Sequence, residues 1–316
     1  MSTVENKTGS RAPGLLLAGA GVLIFSLTLP ATQLAVADLS AWTVGIGRAV
    51  VAAVLAGACL LVARAPFPGR QHLRSLSIVG FGVVLGFPIF TALALRGTDS
   101  AHAAVVIGLL PMATAIFGRL HGQERPNALF WIACAAGAVV ITVFTFRHGF
   151  DGIGPWDLFL VAALVTGGLG YAEGGRLAKA VPGWQVISWA LLITLPVSLP
   201  ATIAAILLSP AGEVSRAGWI GFAYVSVFSM FIGFCAWYPG LALVGIAKGS
   251  QLQLFQPLLT VGWAGLLLGQ AVDAVTLVAA VLVLLCVGAS QVAKLAAVAP
   301  PGRAEAPATA SSGERR

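Results

Sequence analysis

The chain has 316 residues, 58% of them hydrophobic and only 9% charged, and its mean hydropathy is +0.94. A water-soluble domain of this size could not keep so much apolar surface from water, so the composition excludes a soluble enzyme or binding module and indicates an integral membrane protein. The net charge of +7 is spread along the chain without basic clusters interleaved with aromatics, which argues against nucleic acid as a partner.

Residues 1–13 are expected to form a cytoplasmic tail carrying Lys7 and Arg11. The apolar run from Gly14 to about Ala37 is too long for a signal-peptide core, and it reads as the first membrane helix rather than a cleaved leader. A spanning helix needs about 20 apolar residues. On that measure, further segments fall at roughly 41–63, 75–96, 99–119 and 127–146. After a connecting loop at 147–155, expected on the periplasmic side, a second set falls at roughly 156–178, 184–208, 217–240, 247–269 and 272–294. Residues 295–316, rich in Ala, Pro, Ser and Arg, read as a disordered cytoplasmic tail. The expected fold class is therefore an all-α integral membrane protein with ten transmembrane helices. The cysteines Cys59, Cys134, Cys235 and Cys286 lie in apolar runs without CxxC spacing, so they read as small buried hydrophobes, with no metal or disulfide implied.

The two sets of helices share a signature. Pro111 is followed thirteen residues on by Glu124, and Pro257, 146 residues further along, is followed thirteen residues on by Gln270. The same offset places His102 on Lys248 and Thr114 on Thr260. With the N-terminus in the cytoplasm, fourteen of the eighteen Lys and Arg fall on the cytoplasmic side and three on the other, leaving Arg48 inside a helix. That bias puts both termini in the cytoplasm. Trp42, Trp131, Trp156, Trp184 and Trp219 stand at helix starts, where an interfacial aromatic belt belongs. Since each repeat has an odd number of helices, the second copy is inverted relative to the first. Inverted repeats with a broken helix in each half are the sequence signature of a secondary transporter.

The stretch Gly122-Gln123-Glu124-Arg125 behind Pro111, and Leu254-Phe255-Gln256-Pro257 followed by Leu268-Gly269-Gln270, resemble the EamA domain of the drug/metabolite transporter superfamily. Arg48 and the run Gly170-Tyr171-Ala172-Glu173-Gly174-Gly175-Arg176 also match patterns of that family, with Gln270 standing where the second copy usually has glutamate. The resemblance covers residues 14–146 and 156–294 as two EamA-like five-helix repeats. It implies a multi-pass carrier of the bacterial inner membrane, many of whose relatives export amino acids and other metabolites. It also implies a central cavity lined by helices one, three, four, six, eight and nine, with five and ten peripheral.

Arg48 lies roughly 10 Å inside the membrane at about 1.5 Å per residue. On an isolated helix it would cost about 2.5–3.5 kcal/mol there, so it must face protein or a water-filled cavity. Two roles remain open for it: counter-ion for a substrate carboxylate, or a lock donating hydrogen bonds to carbonyls at a helix break. His102 and Lys248 each begin a helix that a proline later interrupts. A positive helix start plus a cation suits an anion, and snorkelling to headgroups is the alternative. Gln253 and Gln256 share a helix face just before Pro257, where they either bind substrate or satisfy the backbone freed by the proline. Tyr171, Trp237 and Tyr238 are candidates to stack on a substrate, against a plain packing role. Pro88, Pro111 and Pro257 are the candidate helix-break or gating positions, and Glu124 and Gln270 the polar ends of the repeat motif. Glu173 is the acid placed inside the membrane, a candidate for coupling that Arg176 could neutralise.

Intramembrane charge is thus mainly positive, which favours neutral, zwitterionic or anionic metabolites over cationic drugs. The expected function is export of small organic metabolites, amino acids foremost, across the lipid bilayer by alternating access. A multidrug efflux carrier and a membrane-embedded enzyme acting on a lipid-linked substrate are the alternatives. The scattered histidines His72, His102, His121 and His148 have no metal-ligand spacing, and no GxxxxGK[ST] loop is present, so no cofactor, metal or ATP hydrolysis is expected. An internally duplicated chain can form the whole pathway as a monomer.

Overall fold

The computed structural model describes residues 11–120, 128–148, 154–244 and 252–298. All regular structure among them is helical. In chain order the apolar helices are α1 (Ala12–Asp38), α2 (Ala41–Val62), α3 (Arg70–Ala94), α4 (Ser100–Gly118), α5 (Ala128–His148), α6 (Pro155–Leu177), α7 (Gly183–Leu208), α8 (Arg216–Gly240), α9 (Gln256–Leu268) and α10 (Ala274–Val298). Seven of them, α1 to α4 and α6 to α8, are long and apolar enough to cross a membrane, at 19 to 27 residues. A rise of about 1.5 Å per residue gives them roughly 28–40 Å, the thickness of a bilayer core or more. Leu16, Val54, Leu61, Leu207 and Leu266 are among many large apolar side chains on outward faces. Such faces are stable only against lipid.

Helix starts are fixed locally. Ser40 Oγ accepts the Thr43 N–H at 3.0 Å ahead of α2, and Ser215 Oγ accepts the Gly218 N–H at 3.1 Å in α8. Pro155 takes the first position of α6, while Asp157 reaches back to accept the Gly154 N–H at 3.1 Å. Each cap satisfies a donor that the helix itself leaves free.

The interruptions repeat with the 146-residue offset. In α4 a turn at Gly108-Leu109 precedes Pro111, and at the start of α9 a turn at Leu254-Phe255 precedes Pro257. Past each break a threonine bonds back one turn: Thr114 Oγ1 to Leu110 O and Thr260 Oγ1 to Gln256 O, both at 2.9 Å. The helices α3 and α8 each contain a π-helical stretch, at Gly80–Gly86 and Tyr224–Ile232. Each closes with a five-residue bond, from Phe87 N–H to Gly82 O and from Gly233 N–H to Phe228 O. π-Bulges of this kind gather at functional sites.

Packing follows the same two-fold rule. Helix α1 lies against α8 and α9, as α6 lies against α3 and α4; α2 pairs with α7 and α5 with α10. At the α3–α6 crossing the backbones touch: a Cβ on Gly82 would stand 2.6 Å from Thr166 O and 2.8 Å from Gly170 Cα. Each half therefore completes its packing with helices of the other.

Candidate functional site

Where the halves meet, two small adjacent voids share Leu29, Ile107, Leu110 and Gln256 in their walls. The larger, about 30 Å³, is bounded by α1, α2, α3, α4, α6, α8 and α9, with Arg48, Tyr171 and Ser229 among its residues. The smaller, about 20 Å³, lies between the two breaks and touches Pro111, Pro257, Gln253 and Thr260. One water needs roughly 10–15 Å³ of such space, so together they hold a few waters and no organic substrate. The centre is closed in this conformation. A wider groove of about 420 Å³ between α5 and α10 is walled by Val139, Phe144, Val278 and similar side chains. Its described lining residues are all apolar, and it shares none of them with the polar centre.

The voids straddle the internal symmetry. Four repeat-equivalent pairs line the larger: Phe25 with Tyr171, Val83 with Ser229, Pro88 with Phe234, and Leu110 with Gln256. The smaller adds Ile107 with Gln253 and Pro111 with Pro257.

Arg48 is 2% exposed. Its Nη2 donates to Ser229 Oγ at 3.0 Å, and Ser229 is in turn 2.8 Å from Thr28 Oγ1. Its Nε and Nη1 find no hydrogen-bond partner among the described residues, and neither does Gln256 Oε1. Nearby, α1 is interrupted at Leu27. The Ser26 carbonyl accepts from Thr260 Oγ1 at 2.8 Å, and Ser26 Oγ accepts from Trp263 Nε1 at 3.0 Å. The backbone freed by this break is thus held by the broken helix of the other half.

A second polar cluster closes one end of the bundle. At the start of α4, Gln33 Oε1 accepts the Ser100 N–H at 2.8 Å, Gln270 Oε1 accepts the Ala101 N–H at 3.3 Å, and Asp99 Oδ1 accepts the His102 N–H at 2.6 Å. Gln270 Oε1 also accepts from Ser100 Oγ at 3.1 Å, while its Nε2 donates to Gln33 Oε1 at 2.7 Å. Gln270 therefore ties the end of α9 to α1 and to the start of α4, which Asp99 caps. His102 Nε2 lies 2.8 Å from Asp157 Oδ1 on α6, and its ring stacks on Phe144 at 5.0 Å between centroids. At the other end, Glu173 pairs with Arg176, with one contact at 3.0 Å, and Arg176 Nη2 also donates to Ser75 Oγ at 2.7 Å.

Of the residues singled out in the sequence, Arg48, Tyr171, Gln253, Gln256, Pro88, Pro111 and Pro257 line the voids. His102 and Gln270 belong to the end cluster, and Glu173 to the pair with Arg176. Trp237 and Tyr238 are 2% and 1% exposed and sit in the packed core, Trp237 against Gly21 and Phe25 and Tyr238 against Gly174 and Gly183. Lys248 and Glu124 lie outside the described residues. Ser229, Thr28 and Gln33 escaped the sequence reading. For Ser229 a signal existed, because it is the polar counterpart of Val83 in the other repeat.

A helical bundle with lipid-facing surfaces and a closed polar centre at the junction of two equivalent halves defines a multi-pass membrane transporter. The chain belongs to the EamA-like transporter family, whose model matches twice, over residues 12–146 and 154–289. It is similar to the uncharacterized transporter YdeK of Bacillus subtilis (strain 168), with 45% identity over 273 residues that span 86% of this chain and 94% of that one. A crystal structure 18% identical to it superposes with a TM-score of 0.58 and covers 91% of this chain and 99% of that chain, which shows a shared fold.

Proposed function

We propose that the chain is a secondary transporter that exports small organic metabolites, amino acids foremost, across the bacterial inner membrane by alternating access. The observation carrying this reading is the closed centre: repeat-equivalent residues line it, proline-broken helices from both halves flank it, and it is too small for substrate until the halves move apart. Among the described residues that line the centre the charge comes from Arg48 and none is a carboxylate, which favours metabolites with an anionic group over lipophilic cations. In this reading ten helices span the membrane as two inverted repeats, residues 14–146 and 156–294, and both termini face the cytoplasm. The fourteen-to-three partition of Lys and Arg supports that orientation. Glu173, held by Arg176, is a stapling group at the inner end of α6 rather than a coupling site.

The test is purified protein in liposomes preloaded with mixed amino acids, with mass spectrometry of what leaves, with and without a pH gradient. Protein-dependent release of a few amino acids is expected. No release beyond empty liposomes, from protein shown to be folded, would overturn the assignment.

A further inference from the structure

The two halves do not furnish the central void equally. At each paired position where polarity differs, the second half supplies the polar member: Ser229 against Val83, Gln256 against Leu110, Gln253 against Ile107, and Tyr171 against Phe25. The first half supplies a hydrocarbon wall, to which Phe87 and Leu29 also belong. Arg48 and Thr28 are the exceptions among the described residues, both coming from the first half and both joining the polar wall through bonds to Ser229.

The repeat also tests whether Arg48 is a structural necessity. Its counterpart at the 146-residue offset is Thr194, whose hydroxyl bonds back to Ala190 O and Leu191 O at 3.0 Å, satisfied within its own helix. The fold thus builds this position with a small self-satisfied residue in one half and with an arginine in the other. A lock required by the architecture would have been needed in both. Two guanidinium nitrogens of Arg48 remain without a partner among the described residues. Leaving buried donors of a cation unmatched costs more than an ordinary hydrogen bond returns. On the same void Gln256 Oε1 is an unmatched acceptor, where Leu110 in the other half makes no such demand.

We propose that this void, once the halves part and enlarge it, is the binding site for a zwitterionic α-amino acid with an apolar side chain: the carboxylate on Arg48, the ammonium on Gln256 Oε1, and the side chain against Phe25, Val83, Phe87 and Leu110. The unmatched donors call for an anion and the unmatched acceptor for a donor. An α-amino acid carries both on neighbouring atoms, and the hydrocarbon wall receives the rest. This rests on the transport reading above and deepens it to a substrate class and to individual roles.

The experiment is counterflow into liposomes holding the full-length protein, with three probes of one shape: L-leucine, L-leucinamide and 4-methyl-2-oxopentanoate. Leucine is expected to exchange at least tenfold better than the amide, which lacks the carboxylate, or the oxo acid, which lacks the ammonium. Gln256→Leu, which copies the other repeat, should raise the half-saturation concentration for leucine about tenfold and change that for the oxo acid less than twofold. Arg48→Gln should weaken leucine and the oxo acid together while leaving leucinamide within twofold. Size-exclusion profiles matching the parent protein confirm that each variant is folded. Equal exchange of all three probes, or equal shifts for leucine and oxo acid in Gln256→Leu, overturns the assignment. Release of polar amino acids from the mixed-load liposomes without leucine exchange overturns it too, while leaving the broader transport reading in place. Transport of no amino acid at all overturns both.

Discussion

Among the described residues Arg48 is held by one hydrogen bond where an arginine can donate five, so its energetics are dominated by what it lacks rather than by what it makes. Arg48→Ala should leave the protein in the membrane and lower transport efficiency by roughly 10- to 100-fold. That is the size expected for losing a charged hydrogen bond of about 1.5–3 kcal/mol at 1.4 kcal/mol per decade. Uptake assays normalised to the amount of inserted protein read this directly. Arg48→Lys keeps the charge but not the planar guanidinium. It should retain a preference for carboxylates at reduced affinity, and a lysine variant that carried anionic and neutral substrates equally well would refute the counter-ion role. Gln270 is a different kind of polar residue, satisfied on both its atoms. Gln270→Glu keeps the acceptor and loses the donor, whereas Gln270→Leu loses both and leaves the Ala101 N–H without its acceptor. The leucine variant should cost about 1–2 kcal/mol and lower the unfolding midpoint further than the glutamate variant. Equal midpoints would show that this tie contributes nothing.

The broken helices, at the scale of elements, explain how a hydrophobic bundle can have a polar middle. Proline removes a backbone donor, and the carbonyls it frees at mid-membrane must find partners inside the protein. Just past each proline, Thr114 and Thr260 back-bond to the carbonyls of Leu110 and Gln256, one turn earlier, in the same way in both halves. Pro257→Ala should straighten α9 toward an unbroken helix, leaving thermal stability within a few degrees and lowering the transport rate severalfold; a rate equal to the parent's would remove the break from the mechanism. Gly82→Val should drive α3 from α6, because the added carbon would sit 2.6 Å from Thr166 O, and a loss of about 1–3 kcal/mol is expected in thermal unfolding. These breaks were legible in the sequence, since proline in an apolar run has few readings. The π-helical stretches were not: their five-residue bonds depend on how closely α3 and α6, or α8 and α1, approach, and Gly82 meets Thr166 only after folding. Arg48 stood out because a cation in an apolar segment demands a partner. That the partner is Ser229, 181 positions away, is a tertiary fact. His102 likewise reads as a cation at a helix start, and its pairing with Asp157 follows from α6 packing on α4.

For the whole molecule, the end cluster of Gln33, Ser100, Gln270, His102 and Asp157 joins α1, α4, α6 and α9, so separation of the halves at that end must break it. A disulfide between Ser100→Cys and Gln270→Cys, made with the four native cysteines replaced by serine, should halt transport when oxidised and restore it on reduction. Undiminished transport in the crosslinked protein would show that this end does not open. The duplicated sequence made the broad plan visible, while the closure of the centre depends on interlocking contacts between the copies that no single segment encodes.

The tie that Gln270 makes to α4 and α1 also bears on biogenesis. Ser100 waits for an acceptor 170 residues downstream, and Gln33 is joined to the same amide across 237. During synthesis the earlier helices form with the Ala101 N–H and the Ser100 hydroxyl still lacking Gln270, and with the α1 break unsupported. They reach their final order only when α9 arrives. The first half is therefore dependent on its twin for maturation as well as for movement, and a nascent chain stalled before α9 should remain a substrate for membrane proteases until the missing half is supplied.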